Sequence, residues 1–92
     1  MLASLLWFYR VKGDNMAPTL KDRDRILTTR ILPPKVGNIV VVKHPEHGLR
    51  IKRVADQNER EVFLLDDNKE ASSENLGWVQ NRYVKGTVIH SF

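Results

Sequence analysis

Three histidines, His44, His47 and His90, are the side chains with the broadest chemical repertoire in this 92-residue chain, which has no cysteine. His44 and His47 lie three apart across a proline-containing loop. Two imidazoles without cysteines or a pair of acidic ligands do not complete a zinc site. They are expected on a surface loop, with no metal and no cofactor. The missing cysteine excludes disulfides and thiolate chemistry and leaves the redox compartment open. No glycine pattern of the phosphate-cradling kind occurs. The aromatic residues lack the spacing that stacks bases on a basic face. Amines and hydroxyls remain: Lys52 within Ile51-Lys52-Arg53-Val54, Ser72 in a polar stretch, and Thr19 in the octapeptide Gly13-Asp14-Asn15-Met16-Ala17-Pro18-Thr19-Leu20.

The octapeptide has no periodicity. Gly13 allows backbone angles other residues avoid, Asp14 and Asn15 favour a turn, and Pro18 pushes Ala17 away from helical geometry. It reads as an irregular loop between extended segments, and loops on a β scaffold often carry function.

The elements that would position these residues are short strands. Tyr9-Arg10-Val11-Lys12 alternates with the period of a half-buried strand. Residues 25–30 are β-prone, and Pro33-Pro34 marks a connection. Ile39-Val40-Val41-Val42 is the strongest strand signal, a β-branched run suited to burial on both faces. Residues 44–48 form a hairpin-like loop, and residues 49–54 are its partner strand, with Arg50, Lys52 and Val54 on one face. After a polar turn at 56–60, residues 62–65 are a strand. A polar loop spans 66–75, residues 76–79 re-enter the core, and residues 83–89 form the last strand, with Gly86 a bulge position. No helical repeat persists over three turns. The expected fold is mainly β: one domain over residues 1–92, a small curled sheet or partly open barrel.

Composition narrows the partners. The formal charge is +4 and the pI about 9.7, but lysines and arginines are interleaved with acids, as on a solvated mixed surface. No nucleic-acid partner is expected. Residues 1–9 are apolar but far short of the about 20 a spanning helix needs, and no signal-peptide pattern is visible. They read as a first strand or core segment, or alternatively as a membrane-surface contact through residues 2–9. A cytoplasmic or peripheral-membrane location is expected.

Four motifs in order resemble the type I signal peptidase family, including its short members that process the nickel superoxide dismutase precursor. The family's first loop reads Gly-Asp-Ser-Met-x-Pro-Thr-Leu, against Gly13-Asp14-Asn15-Met16-Ala17-Pro18-Thr19-Leu20 here. Gly37-Asn38-Ile39-Val40-Val41-Val42 matches its Gly-Asp followed by a Val-rich strand, and Ile51-Lys52-Arg53-Val54 its lysine strand. Asp67-Asn68 with Ser72 matches its Gly-Asp-Asn loop and serine, minus the glycine. Leu76 stands where the family has arginine.

The resemblance implies the signal peptidase and LexA-like catalytic core, and a Ser–Lys endopeptidase lineage. Lys52 would be the general base, active only as a neutral amine held among apolar groups. Ser72 would orient it, and the backbone N–H of residue 15 would help bind the oxyanion. Asp14, Met16 and Pro18 would shape the substrate loop. An extended peptide or precursor protein would add to a strand edge. Asn15, at the nucleophile position, has no ionisable hydroxyl, and Thr19 is a turn former rather than a replacement. The chain is therefore expected to be inactive as a protease, or to be a pseudoprotease that holds extended peptides. A DNA-linked role like that of the self-cleaving repressors ranks last, because there is no room for a helix-turn-helix module.

Overall fold

The computed structural model describes residues 5–71 and 75–92. The strands are β1 (Leu6–Arg10), β2 (Arg25–Thr29), β3 (Ile39–His44), β4 (Gly48–Gln57), β5 (Glu61–Leu65), β6 (Gly77–Gln80) and β7 (Val84–Ser91), with a short 3-10 turn at Asn81–Tyr83 before the last. They form one antiparallel sheet in the order β1-β2-β7-β3-β4-β5-β6, open at β1 and β6. The mainly β, unclosed architecture is the one expected from the strand pattern.

β3 lies between β7 and β4, and its β-branched run serves both faces of the sheet. Ile39 and Val41 join Val11, Met16, Leu20 and Ile26 in one buried cluster. Val40 and Val42 join Val54, Val62, Leu64 and Val79 in the other. Alternation along one strand thus feeds two cores, which is why the run contains no polar residue.

Bulges curl the sheet. On β7, Val41 pairs with Gly86 but Val42 with Val84, so Lys85 is the extra residue beside Gly86. A side chain at Gly86 would begin 2.9 Å from the Thr28 hydroxyl oxygen, so the glycine permits β7 to lie close against β2. On β4, Val54 pairs with Leu64 and Asp56 with Phe63, leaving Ala55 extra.

The first strand begins and ends earlier than the alternation at 9–12 indicates. Leu6 pairs with Thr29 and Arg10 with Arg25, and Lys12 has already left the ladder. The early start follows from a partner, β2, whose five residues supply the register. Of the apolar segment at 1–9, residues 5–9 are described. Leu6, Trp7 and Phe8 are 43%, 62% and 59% exposed, so this part is a strand at the sheet edge rather than core. Among the described residues no helix is long and apolar enough to cross a membrane.

Candidate functional site

The connection from β1 to β2 holds the octapeptide. Gly13 has φ +82°, a conformation glycine adopts freely. Its N–H donates to Asp22 Oδ1 at 2.7 Å. Within the loop Ala17 N–H bonds Asp14 O and Leu20 N–H bonds Met16 O, at 3.1 and 2.9 Å. Met16 and Leu20 are buried and anchor the loop to the core. Between these anchors Asn15 is half-buried, whereas Asp14 and Pro18 are exposed.

The polar loop after β5 closes on the octapeptide. Asn68 N–H donates to Asn15 O at 2.9 Å. The Asn68 side-chain amide donates to Asp14 O, also at 2.9 Å. One residue thus holds two successive carbonyls of the first loop. Ser72, the expected lysine orienter, lies outside the described residues.

Lys52 stands on β4 opposite Val40. Its side chain is only 2% exposed, and Nζ donates to Asp66 Oδ1 at 2.8 Å, with Asp66 itself 8% exposed. The lysine is therefore buried, as the proposed base must be, but paired with a carboxylate that the motif reading did not include. The strand register places that carboxylate there. Arg53 pairs with Leu65, and one further step along each strand brings Lys52 opposite Asp66. The neighbouring pair emerges on the other face: Arg53 donates to Asp67 through Nε and Nη2, at 3.0 and 2.5 Å. Hydrogen bonding from Arg53 holds the Asp67 carboxyl below the usual carboxylate range against the opposing effect of desolvation, and a hydrogen bond with Thr19 adds to the lowering. The Arg53 guanidinium is raised, chiefly by the same hydrogen bond. Thr19 and Asn68 thus tie the first loop to the Asp67-Asn68 loop from both sides.

A cavity of about 360 Å³ lies between the first loop and the β3–β4 hairpin. Lys12, Asn15 and Met16 line it from the loop, and Leu49, Arg50, Ile51 and Lys52 from β4. Asn15 and Lys52 therefore both line one cavity, and Met16 contributes both to it and to the core. Asp14 and Pro18 do not line it. A smaller hollow of about 230 Å³ lies on the other side of Lys52, against Asp66, Asn68 and Lys69.

Two strand edges border the larger cavity. β1 pairs only with β2 in the sheet order, and its Tyr9 and Arg10 are part of the lining. β5 meets β4 only from Arg53 onward, so among the described residues 48–52 pair with a strand on one side alone. The charged residues in the lining are Arg10, Lys12, Arg50 and Lys52, all cationic.

The histidine loop has a local role. His44 Nδ1 accepts the backbone N–H groups of Glu46 and His47 at 3.1 and 3.3 Å. The two rings lie 4.8 Å apart. Among the described residues no group of three His, Cys, Asp or Glu is placed to hold a metal ion.

Asp66 is the site residue that motif reading missed. Its signal is its place directly before Asp67-Asn68, where the resembled motif carries glycine. Comparison with known proteins gives one family match: the family model described as Peptidase S24-like matches residues 3–89. No curated protein matches the chain.

Proposed function

The chain belongs to the Peptidase S24-like family, and on that footing we propose that it is a signal-peptidase-like domain that binds extended peptides without cutting them. The observation that carries this reading is a cavity shared by Asn15 and Lys52 and bordered by two open strand edges. An extended segment entering there can add its backbone N–H and C=O groups to either edge, as in strand-addition complexes. Cleavage would need an oxygen nucleophile at position 15, and the carboxamide of Asn15 supplies none. The natural ligand class is a leader or precursor segment, with the nickel superoxide dismutase precursor the instance that the motif resemblance favours.

The test is binding of fluorescently labelled leader-type peptides to the unaltered chain, read by anisotropy, beside an Ile51→Trp variant that fills the cavity. Saturable binding that the variant loses, with no cleavage products by mass spectrometry, supports the reading. Absence of binding at millimolar peptide overturns it.

We also propose a membrane-surface contact at the β1 edge, where exposed Leu6, Trp7 and Phe8 lie near Arg10. Such a segment suits an interfacial position. Co-sedimentation with anionic vesicles, lost in Trp7→Ala/Phe8→Ala, tests it, and equal sedimentation of parent and variant refutes it.

A further inference from the structure

We propose that Asp66 is a second determinant of inactivity: it holds Lys52 as a hydrogen-bond donor, so a hydroxyl at position 15 alone does not restore a working Ser–Lys pair. The inference rests on the peptidase lineage proposed above. Four observations meet at this residue. The Lys52–Asp66 contact is 2.8 Å, and both side chains are nearly inaccessible to solvent. Asp66 follows the last β4–β5 pair, Arg53 with Leu65, by one residue, and continuing that register sets it opposite Lys52. Lys52 lines the cavity that also contains Asn15, which is where a base would act. The other acid of the loop, Asp67, is engaged by Arg53 on the opposite face and is not available to exchange with Asp66.

A lysine base works by accepting the hydroxyl proton as the oxygen bonds to the substrate carbonyl carbon. The peptide C–N bond then breaks, the departing amine carries that proton away, and water later hydrolyses the ester. The first transfer needs a lone pair on Nζ. In this structure Nζ is a hydrogen-bond donor to Asp66 Oδ1 at 2.8 Å, the opposite of the acceptor role that the transfer requires. Replacing the carboxylate removes the acceptor to which Nζ now donates. Two departures from the motif, at positions 15 and 66, therefore act on one catalytic pair: one removes the nucleophile and the other occupies the base. Asp66 is in this sense a positioning residue, acting only through Lys52.

The experiment compares Asn15→Ser, Asn15→Ser/Asp66→Asn, Asn15→Ser/Asp66→Gly and Asn15→Ser/Asp66→Glu in cleavage of a leader-type peptide with small residues before the cut. Peptide anisotropy on each variant reports that it is folded and that the groove is intact. The expected result is cleavage by the Asn and Gly double variants with kcat at least tenfold above Asn15→Ser alone and KM little changed. The Glu double variant, which keeps a carboxylate, should stay at the level of Asn15→Ser, and adding Lys52→Ala to either active variant should abolish cleavage. Cleavage by Asn15→Ser alone at the rate of the double variants overturns the role of Asp66 while leaving the lineage supported. Bound but uncleaved peptide in every variant also overturns it, while leaving the peptide-binding reading in place. Loss of binding by the unaltered chain counts against that reading instead.

Discussion

The Lys52–Asp66 pair makes a quantitative prediction about stability. At 2.8 Å and an effective dielectric near 20, the gross attraction of two unit charges is about 6 kcal/mol, and both desolvation penalties oppose it. The net value of the intact pair is therefore small, but breaking it is not. Lys52→Met leaves the carboxylate of Asp66, 8% exposed, without its cation, at an expected cost of about 3–5 kcal/mol. In a domain of this size 1 kcal/mol corresponds to about 4–8 °C in melting temperature, so even the lower figure lowers Tm by about 12–24 °C. Asp66→Leu alone should also be damaging, by removing the carboxylate to which Lys52 Nζ donates. The double variant Lys52→Met/Asp66→Leu removes both charges and should lie within about 2 kcal/mol of the parent, since apolar replacement of a buried pair is often neutral or stabilising. The assay is urea unfolding of all four proteins at pH 7, closed as a double-mutant cycle. A coupling energy of about 2 kcal/mol or more is expected. Two single variants that each cost less than about 1 kcal/mol and add in the double would refute the argument that the pair is buried and matched.

Other residues give further tests. Asp67 has a lowered carboxyl through Arg53, so its contribution to stability is complete above the ordinary carboxylate range and is lost as pH falls through the depressed value. Asp67→Asn should cost no more than about 1 kcal/mol at pH 7, since the pair is partly exposed, and should flatten the acid limb of a stability–pH curve below pH 5. Gly86→Ala puts a methyl group 2.9 Å from the Thr28 hydroxyl oxygen and should destabilise by about 1–3 kcal/mol in urea unfolding. Peptides with acidic residues should bind the cavity more tightly than neutral ones, and added salt should erase the difference, because among the described residues the charged groups of its lining are cationic, with Lys52 paired to Asp66 on the far side. Equal anisotropy titrations at low salt would refute that expectation.

The strands were legible wherever one residue type dominated. Ile39-Val40-Val41-Val42 could be read as buried on both faces because only a central strand accepts such a run. Gly86 could be read as a bulge because a side-chain-free residue in a β-prone segment implies close approach. The edge position of β1 could not be read, since Leu6, Trp7 and Phe8 carry the same composition whether covered or exposed; it depends on strand order, which is a property of the whole sheet. The site divided in the same way. Asn15 and Lys52 line one cavity, each positioned by local structure, an anchored loop and a regular strand. Asp66 escaped because its partner lies fourteen residues away, and which acid meets which base depends on the register of two strands rather than on spacing in the chain.

That register is set by Ala55. Gln57 pairs with Val62, and a regular ladder counted from that pair would bring Lys52 level with Asp67 and Arg53 level with Asp66. The extra residue displaces the count by one and produces the observed partners instead. Either alignment would match two bases with two acids, so electrostatics is nearly blind to the choice. What differs is which cation is turned inward, the compact ammonium or the broad guanidinium. A small residue with no charge and no place in the cavity thus sorts the four ions between the interior and the surface. Deleting Ala55 would be expected to merge the observed pairs into one regular ladder and leave Lys52 level with Asp66, whereas flattening the bulge with Ala55 retained would turn the side chains of residues 48–54 over and bring arginine to the position where the lysine now stands.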